Sequence, residues 1–285
     1  MKGKVLILAL LSCCCTLVSC DSLDLPGMFW SQSDTVDDRF AQSMAYNDQN
    51  GYATVHSDTD EYSVYVFTDF HTDGDTRNLD ALVKTYESAP APLSLYLGDV
   101  VNNRDADWDL FIKATSPLSE QGDLFVTPGN HDLYFGLWPE YLSYFHTASY
   151  WFEVLTPGAK DLFICLDSGS GTLGKSQRYW LEVLLASKAS QYRHVIVFTH
   201  THFFKIDASQ GHTSNYAMEE TYDLAHLFTE YGVSLVLTGH DHTMEDTTFG
   251  AVRYIIVPSL ENSNPNAGYA VCSVGTSISV DFRTL

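Results

Sequence analysis

The sequence predicts an α/β fold in which two β-sheets pack face to face, with helices on their outer sides. Strand-like and helix-like segments alternate over residues 62–242. Three further strand-like segments follow at 252–257, 269–274 and 278–282, and we expect them to complete the second sheet. This order is typical of sheets covered by helices. In addition, five of the strand-like segments run directly into Asp, Asn or His side chains, and they lie at 63–71, 93–103, 124–132, 194–200 and 234–242.

Each element is predicted from a local pattern. Short runs of β-branched and aromatic residues bounded by Gly, Pro or polar clusters are typical of buried strands. These runs predict strands at 63–68, 93–97, 124–127, 150–155, 162–167, 194–199 and 233–238. Apolar residues at helical spacing predict helices at 77–88, 108–115, 176–187 and 219–231. Ala89 and Pro90 end the first of these helices, and Gly232 ends the last.

The first 19 residues have the layout of a secretory signal peptide. Lys2 and Lys4 precede an apolar run at 5–11, which is too short to span a membrane. The following tetrapeptide, LVSC, resembles the bacterial lipobox, in which the cysteine, here Cys20, becomes the lipidated first residue of the mature protein. This resemblance implies an exported protein, lipid-anchored to the bacterial cell envelope on its periplasmic or cell-surface side. A processing site at Cys13 and an ordinary signal peptide are the alternatives.

The remaining chain is divided into a tether and one domain. Residues 20–61 are rich in acids, Ser, Asn and Gln, which predicts a tether with one short helix at 36–46. Residues 62–285 are long enough to form one domain with a sizeable core. Cys165 and Cys272 lie in strand-like apolar runs, so we expect two buried thiols rather than a disulfide.

The chain is strongly acidic. It carries 36 acidic residues against 15 basic ones, a formal net charge of -21. Such a field repels polyanions, so no long nucleic acid is expected as a partner. A phosphorylated substrate would have to be attracted locally by bound cations. The alternative interpretation is that the charge only keeps the protein soluble.

The polar strand ends predict a metal site. In α/β sheets the ligand lies at the carboxyl ends of the strands, where these side chains would meet. Carboxylate, amide oxygen and imidazole ligands suit hard or borderline divalent ions. His200 and His202 compete for one ligand position, and His200 is favoured because it directly follows its strand. The candidate residues are Asp69, His71, Asp99, Asn130, His131, His200, His240 and His242.

Taken in order, these motifs resemble the calcineurin-like metallophosphoesterase family. The resemblance covers roughly residues 62–260, and the stretch 166–185 is also similar to one common in that family. It implies a four-layer α/β/β/α sandwich and two divalent or mixed-valence metal ions (Mn, Fe or Zn). The implied ligands are Asp69, His71 and His242 for one ion, Asn130, His200 and His240 for the other, and Asp99 for both.

The same resemblance implies a reaction. A hydroxide bridging the two ions would attack phosphorus in line, and His131 would donate a proton to the leaving oxygen or stabilise its charge. The implied activity is hydrolysis of a small phosphate monoester or diester. Purple acid phosphatases carry a Tyr three residues after the bridging Asp, whereas this chain has Asn102, so tyrosinate ligation of iron(III) is not expected. A surface lipoprotein that binds metal or a phosphorylated ligand without turnover, and a purely structural lipoprotein, are the rival hypotheses.

Several residues outside the motifs have two interpretations each. Tyr134, Phe135, Trp138 and Tyr216 either stack on a base or aromatic leaving group or are ordinary packing residues. The remaining two are Arg104 and His212, which either contact substrate or belong to the solvated surface. The sequence makes no prediction of oligomeric state.

Overall fold

The computed structural model of the chain describes residues 34–102, 107–207, 211–213 and 216–285, with the backbone alone described at 205–207 and 211–213. Its helices are α1 (Val36–Asn50), α2 (Arg77–Ser88), α3 (Trp108–Gln121), α4 (Trp138–Phe145), α5 (Gly174–Lys188) and α6 (Met218–Glu230). Its strands are β1 (Thr54–His56), β2 (Tyr62–Phe67), β3 (Leu93–Tyr96), β4 (Asp123–Val126), β5 (Tyr150–Leu155), β6 (Lys160–Cys165), β7 (Val195–Phe198), β8 (Lys205–Asp207), β9 (Gly211–Thr213), β10 (Leu235–Thr238), β11 (Glu245–Phe249), β12 (Val252–Ile256), β13 (Gly268–Val274) and β14 (Ile278–Thr284).

The predicted pair of sheets is confirmed. A seven-stranded sheet has the order β1-β5-β6-β7-β10-β12-β11, and a five-stranded sheet has the order β14-β13-β2-β3-β4. Side chains such as Val64, Leu95, Phe163 and Phe198 fill the space between the sheets. Two further apolar clusters lie under the outer helices, one beneath α2, α3 and α4 and one beneath α5 and α6. The four layers are therefore helix, sheet, sheet and helix.

The polar strand ends meet at one edge of the sandwich. Strands β2, β3 and β4 run parallel in one sheet, and β7 and β10 run parallel in the other. Backbone hydrogen bonds hold neighbouring strand ends together, from the Asp69 N–H to the Gly98 carbonyl at 3.0 Å and from the Gly239 N–H to the His200 carbonyl at 2.9 Å. The Thr127 hydroxyl donates to the Leu166 carbonyl at 2.9 Å and so links the two sheets.

The prediction that residues 20–61 form a tether is wrong for the second half of this segment. Helix α1 runs to Asn50 rather than Tyr46, and β1 pairs in parallel with β5 at one edge of the seven-stranded sheet. The helix is held by polar side chains that it buries. Arg39 is 3% exposed and forms an ion pair with the fully buried Asp167, with Nε to Oδ2 at 2.7 Å. The folded domain therefore begins before α1, and not at residue 62.

Two smaller expectations also change. Helix α3 continues beyond Thr115 and includes Pro117. Proline has no backbone N–H to donate to the Lys113 carbonyl, and the Ser116 hydroxyl donates to this carbonyl instead. The three C-terminal strands do not complete one sheet, since β12 joins the seven-stranded sheet and β13 and β14 join the other.

Cys165 and Cys272 are buried free thiols, as predicted. Within the described residues, no helix is both long and apolar enough to cross a membrane.

Candidate metal centre

The side chains at the sheet edge are presented by tight, unusual turns. Asp69, His71, Asp99, His240 and His242 all have positive φ, between 48° and 72°. Non-glycine residues enter this left-handed region at a cost of the order of 1 kcal/mol or more, and such strain is concentrated at functional sites. Each turn follows a buried strand, so the rigid sheets fix where these five side chains point.

Glycines allow the turns to approach each other closely. A Cβ at Gly129 would collide with the Asp99 carboxylate, and a Cβ at Gly239 would collide with the Thr68 hydroxyl and the Asp69 carboxylate. Larger residues would therefore push apart the loops that follow β3 and β4, and those that follow β2 and β10. The glycines are needed for close packing of the site.

Asp69, His71 and His242 form the first group. Their Nε2 and Oδ1 atoms converge, with His71 Nε2 3.3 Å from His242 Nε2, and with Asp69 Oδ1 3.3 Å from His242 Nε2 and 3.8 Å from His71 Nε2. Asp69 Oδ2 is occupied, since it accepts hydrogen bonds from the Thr68 hydroxyl and the His240 N–H. Asp69 Oδ1 is buried and has no hydrogen-bond partner among the described residues.

Asn130, His200 and His240 form the second group. Asn130 Oδ1 lies 3.0 Å from His200 Nε2 and 2.9 Å from His240 Nδ1, and the two imidazole nitrogens are 3.1 Å apart. His200 Nδ1 lies 2.8 Å from the Leu97 carbonyl, which only accepts, so Nδ1 carries a proton and Nε2 faces the group. One amide oxygen and two imidazole nitrogens thus point at a common position.

Asp99 lies between the two groups. Its Oδ2 is 3.7 Å from His71 Nε2 and 3.3 Å from His200 Nε2, so the same oxygen faces both. Its Oδ1 accepts a hydrogen bond from the His131 N–H at 2.8 Å, which fixes the carboxylate plane. The side chain is 2% exposed. Among the residues that the structure describes, Asp99 thus has the carboxylate that faces both groups of ligand atoms.

The spacing of these atoms fits metal coordination. Two ligand atoms about 2.1 Å from one ion lie about 3.0–3.4 Å apart at octahedral or tetrahedral angles. The contacts within the second group and between His71 and His242 are 2.9–3.3 Å. Nitrogen pairs at such distances without a shared ion need a proton between them. Asp69 Oδ1 accepts no hydrogen bond, and two pairs of imidazole nitrogens lie close together, so the residues fit a pair of divalent ions.

The site's charges are unbalanced without cations. Burial opposes protonation of His200, but the neighbouring Asp99 and Asp69 carboxylates outweigh it and raise the pKa of His200 to about 9. Burial and the charge of His200 lower the pKa of His240 to about 4. Burial disfavours ionisation of Asp99, yet the charges of His200 and His71 hold its pKa below the usual value. The two buried carboxylates, Asp69 and Asp99, therefore stabilise positive charge in the site, and bound metal ions would supply that charge.

His131 lies beside the two groups. One of its ring nitrogens is within 4.8 Å of ligand atoms of Asp99 and His71, and its Nδ1 has no hydrogen-bond partner among the described residues. Burial lowers the pKa of His131, which favours the neutral imidazole. Asp132, the residue after His131, accepts hydrogen bonds from the backbone N–H groups of Asp99, Gly129 and Val101. It ties the two loops together.

The family is decided by the chain's sequence match. The model of the calcineurin-like phosphoesterase family matches residues 62–244. The chain belongs to this family. Membership supports metal-dependent hydrolysis of phosphate esters and a dinuclear metal centre, as the resemblance implied. A search of the curated proteins found no match.

Solved structures support the phosphoesterase fold. A dimetal phosphatase from Danio rerio has a TM-score of 0.60 at 13% identity, covering 78% of this chain and 96% of that one. Purple acid phosphatase PPD1 from yellow lupin (Lupinus luteus) seeds has a TM-score of 0.62 at 14% identity, covering 79% of this chain and 52% of its own. GAP50, the anchor in the inner membrane complex of Plasmodium, has a TM-score of 0.58 at 15% identity, covering 79% of this chain and 84% of that one.

The sequence did not predict the roles of two residues that contact the proposed ligands. The Tyr134 hydroxyl accepts a hydrogen bond from Asn130 Nδ2 at 2.9 Å, which turns the amide oxygen of Asn130 toward His200 and His240. Glu261 Oε2 lies 3.6 Å from His242 Nδ1, where it supports an orientation with Nε2 facing the first group. A tyrosine four residues after the Asn was a visible signal for the first of these roles, whereas Glu261 lies far away in sequence.

The remaining candidate residues differ in how deeply their side chains are buried. Trp138 and Tyr216 are buried and belong to the core clusters, so they are packing residues, whereas Phe135 is 53% exposed. His202 is buried, with its ring 6.3 Å from that of His240, whereas His200 Nε2 lies 3.0 Å from Asn130 Oδ1. Cys20 and Arg104 lie outside the described residues, and only the backbone of His212 is described.

Proposed function

We propose that this protein is a two-metal hydrolase of small phosphate monoesters or diesters that acts at a bacterial cell envelope. Asp69, His71 and His242 would hold one ion, and Asn130, His200 and His240 the other. The observation that carries the proposal is the position of Asp99 Oδ2, which faces both groups of ligand atoms. When bound, the ions supply a hydroxide at neutral pH and neutralise the charge that develops on the phosphoryl oxygens.

The chain's own residues would orient and protonate the substrate. His131 is held through its backbone N–H on Asp99 Oδ1, and its imidazole lies beside the ligand atoms of Asp99 and His71. Burial lowers its pKa and so makes its imidazolium form a stronger acid, and this form would give its proton to the oxygen that leaves phosphorus. Asn130 and His200 hold their positions through Tyr134 and the Leu97 carbonyl.

The activity is tested by hydrolysis of aryl phosphates. We expect the Mn²⁺-loaded protein to release nitrophenolate from p-nitrophenyl phosphate or bis(p-nitrophenyl) phosphate, and the faster substrate identifies the ester class. The intact set of seven ligands favours an enzyme over a binding protein. Tight binding of two Mn²⁺ ions without turnover of either ester would contradict the proposal and favour the binding protein.

His131→Ala tests the proposed role of that side chain. Loss of a positioned proton donor typically lowers turnover by about 10²–10⁴-fold. We expect a larger loss for phenyl phosphate than for p-nitrophenyl phosphate, because the poorer leaving group needs the proton more. Both ions should remain bound, as measured by metal analysis. Equal losses on the two substrates would contradict the role as a proton donor.

The envelope location depends on Cys20. If its lipobox-like context is read by the export machinery, the full chain expressed in a bacterial host should incorporate labelled palmitate. We expect Cys20→Ala to abolish the label and Cys13→Ala, the matched control, to retain it. Palmitate labelling of the Cys20→Ala protein would rule out the anchor at this position.

A further inference from the structure

A row of aromatic rings leads from the metal centre to the protein surface. The ring of His131 lies 4.7 Å from that of the proposed ligand His71, and the ring of Tyr134 lies 5.1 Å from that of His131. The ring of Phe135 follows at 6.3 Å from Tyr134 and is 53% exposed. The row therefore begins beside the reacting position and ends in solvent.

The backbone presents Phe135 to solvent at an energetic cost. Phe135 has φ 57° and ψ 23°, a left-handed conformation that bulky residues rarely adopt, and Gly136 follows with φ 81°. Leu133 and Leu137, on either side, are buried and anchor the turn in the core. A local strain that exposes an apolar ring rather than burying it is typical of a functional position.

Tyr134 is fixed relative to the metal centre. Its hydroxyl accepts the hydrogen bond from Asn130 Nδ2 at 2.9 Å, and its backbone N–H donates to the Asn130 carbonyl at 3.1 Å. Two contacts to one proposed ligand hold the phenol ring at a defined place beside His131. Phe135 and Tyr134, here called the aromatic pair, thus border the side of the site where the leaving group would lie.

We propose that the aromatic pair binds a planar ring in the ester group of the substrate. The planes of Tyr134 and Phe135 differ by 66°, so a ring stacked on the exposed Phe135 would meet Tyr134 edge to face. The protein would then prefer phosphate esters that carry an aryl group or a nucleobase over simple alkyl esters. This inference rests on the proposed function, since it places the phosphate between the two groups of ligands. Planar rings stack on Tyr and Phe with a gain beyond the apolar area that they bury.

Binding of phosphonates tests the inference without requiring turnover. Calorimetry on the Mn²⁺-loaded protein compares 2-phenylethylphosphonate with ethylphosphonate, two ligands that are not hydrolysed. We expect the aryl ligand to bind roughly 5- to 10-fold more tightly. Phe135→Ala should reduce this ratio to below about 2, and Phe135→Tyr should restore it. Saturated 2-cyclohexylethylphosphonate should bind more weakly than the phenyl ligand if stacking, rather than apolar area, is responsible.

The control variant is Tyr179→Ala. Tyr179 is 70% exposed on α5, outside the aromatic pair and the proposed ligands, so its removal should leave the ratio unchanged. A wild-type ratio below 2, an unchanged ratio in Phe135→Ala, equal binding of the cyclohexyl ligand, or no binding of either phosphonate would overturn the inference. Hydrolysis of p-nitrophenyl esters is measured separately, so failure of the inference is distinguishable from failure of the proposed function.

Discussion

Asp99→Asn is expected to lower kcat on any phosphate ester by at least about 10³-fold, because the amide cannot bridge two cations as a carboxylate does. Metal ions contribute several kcal/mol of charge stabilisation in the transition state, and about 4 kcal/mol corresponds to this factor. The variant should bind one Mn²⁺ ion instead of two, as measured by metal analysis after gel filtration. Both measurements follow from the position of Asp99 Oδ2 between His71 and His200.

A matched control separates bridging from general charge. Asp73 is an exposed carboxylate two residues after His71 and hydrogen-bonds the Asp75 N–H. Asp73→Asn removes the same charge near the site and should change kcat less than about threefold, since exposed charges are screened. An Asp99→Asn protein that binds two ions and keeps activity within tenfold of the wild type would contradict the assigned bridge.

Arg39→Met is expected to lower the free energy of unfolding by about 3–5 kcal/mol, because it leaves the Asp167 carboxylate buried without its counter-charge. Arg39 contacts Asp167 with Nε to Oδ2 at 2.7 Å and Nη2 to Oδ1 at 3.2 Å, and its Nη2 also donates to Ser170 Oγ at 3.0 Å. In a domain of this size the loss corresponds to a fall in Tm of roughly 6–20 °C. Urea denaturation and calorimetry measure both quantities.

The control for Arg39 is a surface ion pair. Arg178 and Asp223 are about half exposed, and an exposed pair contributes at most about 1 kcal/mol, so Arg178→Met should have a small effect. The contrast tests whether α1 is part of the domain. A loss below 1 kcal/mol in Arg39→Met would mean that α1 is not held by the buried ion pair. A chain that begins at residue 62 should likewise fail to fold stably.

Helix α1 shows what local sequence patterns miss. Its buried face carries the polar residues Arg39, Ser43 and Asn47 at helical spacing, which a hydropathy pattern assigns to solvent. Their partners lie more than 100 positions away: Asp167, the Ala148 N–H and the Ser149 carbonyl. Only the tertiary structure satisfies these groups, so the segment resembles a polar tether in the sequence alone.

The candidate metal centre was more accessible to sequence reasoning. Every proposed ligand lies within a few residues of the end of a strand, so strand pattern and residue type together predicted the cluster. The supporting groups were not predictable in the same way. Asp132 binds backbone N–H groups of two loops, and Glu261 reaches His242 from a distant segment. Such contacts depend on how the turns pack, which no local pattern encodes.

The pairing of two ions across Asp99 is tested most directly by anomalous diffraction at the manganese edge, on crystals grown with excess Mn²⁺. Two anomalous peaks about 3.5–4 Å apart are expected, one among Asp69, His71 and His242 and the other among Asn130, His200 and His240, with an Asp99 oxygen between them. A single peak, or these side chains turned away from each other around an ion-free space, would contradict the account.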